Sequence, residues 1–465
     1  MGGMTTPTVS LPFLQRFRQK LLGIFSRRPD ALFELIDALL LTIDPRSPVE
    51  LSLSPAFRRL YLGLTVANVG GQVTVVAVGL QVYALTRSTL AVGVLGLFAL
   101  VPLVAFGLYG GAIADHYDRR QVAIVASLVS WVAVLGLVAQ AVGGNRHVGV
   151  LYALVALQSA AGAVNSPARG AIIPRLLEPR LMPAANALQT LGMNLAMTGG
   201  PLLGALLVAT VDYAVAYGLD AALFTLALLA LWRLPPIPPE GVRRGRAGLS
   251  SVLDGLRYLG TQPNVRMTFL VDIVAMVTSS PRVLFPAVGV LFLGGGATTT
   301  GALTAAVAAG GIVASVLSGG LARVRWQGRA IALAITVWGL AILAFGGVLT
   351  AAGPSSPGRV LWPALVLAML ALAAAGAADA VSAVFRQTIL QTATPDEMRG
   401  RLQGVFIVVV AGGPRLGELW LGGTASRVGE GWAAVLGGAL CVVVLWVLMR
   451  AQRSFWHYDA RHPVP

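Results

Sequence analysis

Six charged residues of this chain stand inside long apolar runs: Asp220, Asp272, Arg282, Asp379, Arg415 and Glu418. A charge at mid-bilayer costs about 2.5–3.5 kcal/mol on insertion scales, so such residues persist where they pair, face water or do work. Arg415 and Glu418 are three positions apart, share a helix face and can neutralise each other. Asp272 and Arg282 are ten positions apart, about 15 Å along a continuous helix, too far for direct pairing. Carboxylates in such surroundings can load and release a proton. Asp272, Asp379 and Glu418 are therefore the candidates for proton coupling. Arg282 and Arg415 are candidates to anchor an anionic group or to answer a change in carboxylate charge. Asp220 lies near one end of its run and reads as an interfacial residue.

Other chemistry finds no footing. The four histidines (His116, His147, His457, His462) fall in loops or the tail, and no Cys/His cluster has metal-ligand spacing. No phosphate-cradling G-x-x-x-x-G-K-[ST] loop is present. No catalytic residues, metal or cofactor are expected, and any work must be driven by an ion gradient. One proton crossing 100 mV releases about 2.3 kcal/mol.

The elements that position these charges are membrane helices. The 465 residues are 56% hydrophobic and 11% charged, with mean hydropathy +0.77; soluble domains carry about 25% charged residues. Apolar runs fall at roughly 57–84, 90–114, 121–143, 148–172, 184–210 and 213–233, then at 265–293, 299–322, 329–352, 360–384, 400–426 and 431–451. Each is about the 20 residues that span a bilayer. The net charge of +15 does not indicate nucleic acid, because the arginines lie in short loops and form no soluble basic face. Only Arg87, Arg146, Arg359 and Arg427 fall in the loops on one side, which places both termini in the cytoplasm. Residues 1–54 read as a cytoplasmic extension with a basic amphipathic helix at 11–25. The single cysteine, Cys441, permits no internal disulfide.

The chain repeats itself. Gly199-Gly200-Pro201-Leu202-Leu203-Gly204 returns as Gly412-Gly413-Pro414-Arg415-Leu416-Gly417, and Gly110-Gly111-Ala112-Ile113-Ala114-Asp115 returns as Ser318-Gly319-Gly320-Leu321-Ala322-Arg323 with Arg in place of Asp. This divides the chain into two six-helix bundles, 55–234 and 263–452, with a linker at 235–262 and a tail at 453–465.

The loop Gly111-Ala112-Ile113-Ala114-Asp115-His116-Tyr117-Asp118-Arg119-Arg120 resembles the loop between helices 2 and 3 of the major facilitator superfamily, G-x-L-A-D-R-x-G-R-[RK], departing at His116 and Asp118. Asp115 can cap the helix that follows. Ala196-x-x-x-Gly200-Pro201-x-x-Gly204-Ala205 is similar to the antiporter motif of drug/proton exporters. Ser280 to Pro286, and Arg386 through Gln391 to Thr394-Pro395-Asp396-Glu397-Met398-Arg399-Gly400-Arg401, look like the branch that holds enterobactin exporters and mycobacterial multidrug pumps; the second stretch is expected to form a loop, with Thr394 capping the next helix.

The resemblance implies an all-α membrane protein with twelve transmembrane helices in two pseudosymmetric bundles. It implies a gate at Gly111, Asp115, Asp118, Arg119 and Arg120 that latches the outward-open state. It implies a central cavity lined by Asn68, Gln72, Gln81, Asn165 and Arg282 together with Asp272 and Asp379. The expected activity is export of an amphiphilic small molecule, a siderophore or a range of drugs, against protons, by a monomer in the cytoplasmic membrane. A lipid-moving carrier of the same superfamily and a non-transporting membrane sensor are the alternatives.

Overall fold

The computed structural model describes residues 55–177, 181–237 and 249–462; the expected extension at 1–54 lies outside them. The first half holds α1 (Pro55–Thr86), α2 (Thr89–His116), α3 (Arg119–Val142), α4 (Val148–Leu176), α5 (Met182–Thr210) and α6 (Tyr213–Trp232). A linker helix, α7 (Leu249–Thr261), leads into the second half. There the seventh membrane crossing is split into α8 (Pro263–Ser279) and α9 (Phe285–Leu291) around a 3-10 turn, Pro281–Leu284. α10 (Ala297–Val316), α11 (Gln327–Ala352), α12 (Trp362–Thr392), α13 (Asp396–Val428) and α14 (Glu430–Ala451) complete it. Among the described residues eleven helical stretches are long and apolar enough to cross a membrane. The twelfth crossing is α13, 33 residues long and bearing Arg415 and Glu418.

Helix ends follow local chemistry. Ser88 accepts a hydrogen bond from the Ala91 N–H at the start of α2, and Asp212 accepts one from the Val215 N–H at the start of α6. The expected cap at Thr394 is not made: α13 begins at Asp396, and the cap position is held by Pro395 without a side-chain hydrogen bond. Large apolar residues such as Leu226, Leu333, Val366 and Val443 are exposed, as a lipid-facing wall requires.

Small residues set how the helices pack. Gly310 of α10 lies against the Ala373 carbonyl of α12, and Gly376 of α12 against the Val307 carbonyl of α10, so neither site has room for a Cβ. Close backbone approach is what small residues provide in a bilayer, where apolar burial alone does not draw helices together. The tail closes on the second half, where Arg325 binds Asp459 at 2.7 Å. These hydrogen bonds hold the Asp459 carboxyl at a pKa of about 2.

Two seams join the halves. α2 packs on α13, where a Cβ on Gly93 would come within 2.5 Å of the Glu418 carbonyl oxygen and one on Gly422 within 2.9 Å of the Thr89 carbonyl oxygen. The Thr89 hydroxyl donates to Glu430 at 2.6 Å, just past the end of α13. α5 packs on α10, with Gly301 against Ala205 and the Pro201 carbonyl. Both seams lie toward the arginine-poor end of the bundle.

Gly93→Leu should force the α2–α13 seam apart. Double electron–electron resonance between spin labels at positions 87 and 427 should then report a longer distance. Gly347 has open space around it, so Gly347→Leu should leave that distance unchanged. An unaltered distance in the Gly93 variant would show that this seam does not close the arginine-poor end.

Candidate functional site

The seventh crossing breaks where its sequence cannot continue as a helix. Pro281 has no N–H to donate to the preceding turn, and the residue before a proline is pushed to extended backbone; Ser280 sits at φ −76°, ψ 104°. Ser279, the last residue of α8, donates to the Ala275 carbonyl at 2.8 Å and accepts from Trp338 Nε1 at 2.8 Å. Helix α8 therefore ends in a fixed frame, and the turn re-aims Arg282. The continuous helix expected over 265–293 is corrected by this break.

Asp272 and Asp379 meet on one cation. Arg386 of α12 binds Asp272 of α8 through Nη1 and donates from Nη2 to Asp379 Oδ1 at 3.3 Å. Arg386 and Asp272 are buried, with side chains 6% accessible, whereas the Asp379 side chain is 42% accessible. Arg282 is exposed although it lies between elements, within electrostatic reach of Glu418, Arg415 and Asp379. Arg415 donates from Nη1 to Glu418 Oε2 at 3.2 Å, the expected i, i+3 pair. Glu418 also lies against Gly96 of α2, so this pair touches the seam. Three carboxylates and three guanidiniums thus form one neutral network on elements of the second half.

The expected end of this crossing near 384 is corrected here. Asp379 lies thirteen residues before α12 ends at Thr392, about 20 Å, because α12 runs on past the apolar run. Arg386, expected in a loop, is a buried residue of that helix. Asp379, Ser382 and Arg386 sit at helical spacing, and that continued periodicity was the signal for a longer α12.

The residues expected to form the gate bind within the first half and the start of the linker. Asp118, rather than Asp115, caps α3: its Oδ1 accepts from the N–H groups of Arg120 at 2.8 Å and Gln121 at 3.3 Å. Its Oδ2 accepts from the Ile237 N–H at 3.1 Å. Asp115 is still inside α2, one turn too early to cap the next helix. Arg120 donates to the Trp232 carbonyl at 2.5 Å and Arg119 to the Ala171 carbonyl at 3.4 Å. Arg120 thereby satisfies carbonyls at the C-terminus of α6, where a cation is favoured. Gly111 also lies in α2; the side chain of Asp115 is outside the described residues.

Of the polar residues expected in the cavity, two are spent on packing. Gln81 and Gln140 donate to each other at 3.1 Å, and the Tyr217 hydroxyl donates to Gln81 at 2.7 Å, joining α1, α3 and α6. Asn165 donates to Ser127 of α3 at 3.0 Å. Asn68 and Gln72 are half-buried on α1, with Gln72 against Gly200. Gly200 and Gly204 bring α5 onto α1, and Pro201 lies inside an unbroken α5. A further cation, Arg169, was missed by the sequence reading. It lies in α4 and donates to Ser127 at 3.1 Å.

Twelve crossings in two halves, with a charged network in the second, follow the plan of a major facilitator transporter. The chain belongs to the transmembrane secretion effector family, whose model matches residues 47–463. It is 30% identical over 407 residues to the enterobactin exporter EntS of Shigella boydii serotype 18, covering 86% of this chain and 94% of that one. The figures are the same for EntS of Escherichia coli O81. The fold is similar to that of the nucleoside transporter NupG (13% identity, TM-score 0.64, covering 85% of this chain and 98% of that one). It is also similar to a bacterial homologue of the iron transporter ferroportin in an inward-facing state (14% identity, TM-score 0.62, 84% and 97%).

Removing one partner of a buried ion pair costs about 3–5 kcal/mol, because the other charge is stranded. Arg386→Leu should therefore lower the thermal unfolding midpoint clearly, and adding Asp272→Leu should restore much of it. A double variant no more stable than Arg386→Leu alone would show that the two side chains are not coupled.

Proposed function

We propose that this protein exports an amphiphilic small molecule across the cytoplasmic membrane in exchange for protons. The observation that carries the reading is the sharing of Arg386 by a buried and an accessible carboxylate. Asp272 holds the shared guanidinium directly, so the negative charge of Asp379 is balanced only at a distance, by Arg282. A proton on Asp379 cancels it, and so does a hydrogen-bond donor or cation of a substrate lodged beside it. Competition between the two for Asp379 is the simplest way to exchange one for the other. Arg282 is placed to hold an acceptor group of the same substrate, with Arg415 and Glu418 adjusting the local charge. Arginine bias supports a cytoplasmic placement of both termini, and the position of the two seams near the arginine-poor end supports loading of substrate from inside.

The resemblance to enterobactin exporters favours a siderophore-sized amphiphile as cargo. An apolar groove of about 490 Å³ between α2, α3 and α4 is lined by one half only.

Asp379→Asn keeps the pocket shape and mimics the protonated carboxyl. Substrate binding in detergent should persist at the weaker level that the wild type shows at low pH, while uphill flux driven by a pH gradient in liposomes should vanish. In the wild type, binding should weaken as pH falls, because protonated Asp379 no longer accepts the substrate's donor; in the variant that dependence should be lost. Full proton-driven flux in Asp379→Asn would remove this residue from the mechanism.

Orientation is tested separately. A cysteine at position 355 should react with an impermeant maleimide in intact cells, and one at position 245 only after permeabilisation. The reverse pattern would invert the topology and the direction assigned to transport.

A further inference from the structure

Asp220 was expected at the membrane surface, and the structure buries it completely. It projects from α6 onto α1, where Oδ2 meets the Thr74 hydroxyl at 2.6 Å. Oδ1 is pressed so closely on Gly70 that no Cβ could stand there, and it has no hydrogen-bond partner. A carboxylate in this position needs a cation, and the helices around it supply none. Between Arg59 and Arg87, the titratable residues of α1 are Tyr61 and Tyr83. Between Arg120 and its end at Val142, α3 has none, and α5 has none along its length. On α6 itself, Tyr213 and Tyr217 precede Asp220, and the Tyr217 hydroxyl is committed to Gln81. Asp212 caps the start of α6, and Arg233 lies beyond its end.

We propose that Asp220 is a second proton-binding site, in the first half, occupied in this conformation and emptied when α1 parts from α6. As a neutral acid, Asp220 can donate to Thr74 Oγ1 across the 2.6 Å contact, and no uncompensated charge remains in the bundle. The same turn of α1 is gripped from its other side. A Cβ on Gly200 would lie 2.5 Å from Gln72 Cβ, and one on Gly204 2.8 Å from the Val73 carbonyl oxygen. Rocking α5 against its neighbours therefore loads the segment 69–74 that covers Asp220. Parting of α1 and α6 would admit water, and water is what lets the proton leave. Proton occupancy follows from the surroundings of Asp220 alone; its use in transport rests on the exporter reading.

Infrared spectroscopy of the full chain in lipid tests the two statements apart. At neutral pH the wild type should show a carboxylic C=O stretching band that Asp220→Asn lacks. Thr74→Val, which removes the hydrogen bond but leaves the acid, should shift the band without abolishing it. Identical spectra for wild type and Asp220→Asn, or a Thr74→Val band at the wild-type position, would overturn the occupancy. Release is read in liposomes, as protons moved per substrate. The ratio should fall in Asp220→Asn while substrate exchange persists, and an unchanged ratio would overturn the release step. The spectra need no substrate, so a band that behaves as expected stands even if proton-coupled export fails.

Discussion

A charge inside a bilayer must be matched, and that constraint shapes the middle of this molecule. Arg386 is the point where it is tightest, because two carboxylates from two helices compete for one guanidinium. A fully buried pair would be static, since each partner strands the other if it moves. The arrangement differs from that in one respect: Asp379 keeps a side chain 42% accessible. One carboxylate locks the arginine and the other stays reachable, which separates the structural role from the one that can change.

The neutral network also requires an interrupted seventh crossing. In a continuous helix Arg282 would stand about 15 Å from Asp272 along the axis, with its direction fixed by helical phase. The Ser280-Pro281 break gives the following turn its own direction and leaves Arg282 accessible beside Glu418 and Arg415. Glu418 in turn lies against Gly96 across the α2–α13 seam. The charges of the second half are thereby in contact with the surface along which the halves meet. Asp379 and Glu418 both lie within electrostatic reach of Arg282, and Glu418 touches the seam.

The helices were legible in the sequence because an apolar run of membrane length is what a bilayer crossing demands and a soluble fold avoids. The repeated Gly-Gly-Pro motif marked the two halves. The i, i+3 pair of Arg415 and Glu418 was legible because helical geometry alone puts the two on one face. Partnerships between helices were not. Apolar periodicity ends where a helix turns polar, so α12 was cut short and Arg386 was read as loop. Gln81 and Asn165 look like cavity residues by type, yet each has a hydrogen-bonding partner on a neighbouring helix. Only packing reveals which way a polar residue in a membrane helix points. Asp115 and Asp118 were exchanged as caps because the helix boundary fell within one turn of both.

The two halves share a plan and divide the electrostatic work. The second half carries the balanced network of Asp272, Asp379, Arg386 and Arg282 on its broken and longest apolar crossings. The first half places a single carboxyl, Asp220, between α1 and α6 and a single guanidinium, Arg169, beside Ser127. In a bilayer a lone group survives by shedding its charge or by reaching water or a dipole. A half built this way is sensitive to how tightly its helices close, because separation of the helices is what changes the solvation of each lone group. The second half, already balanced, keeps one accessible carboxylate, Asp379, in its network. The α2–α13 and α5–α10 seams join the half that carries the balanced network to the half that carries the lone groups.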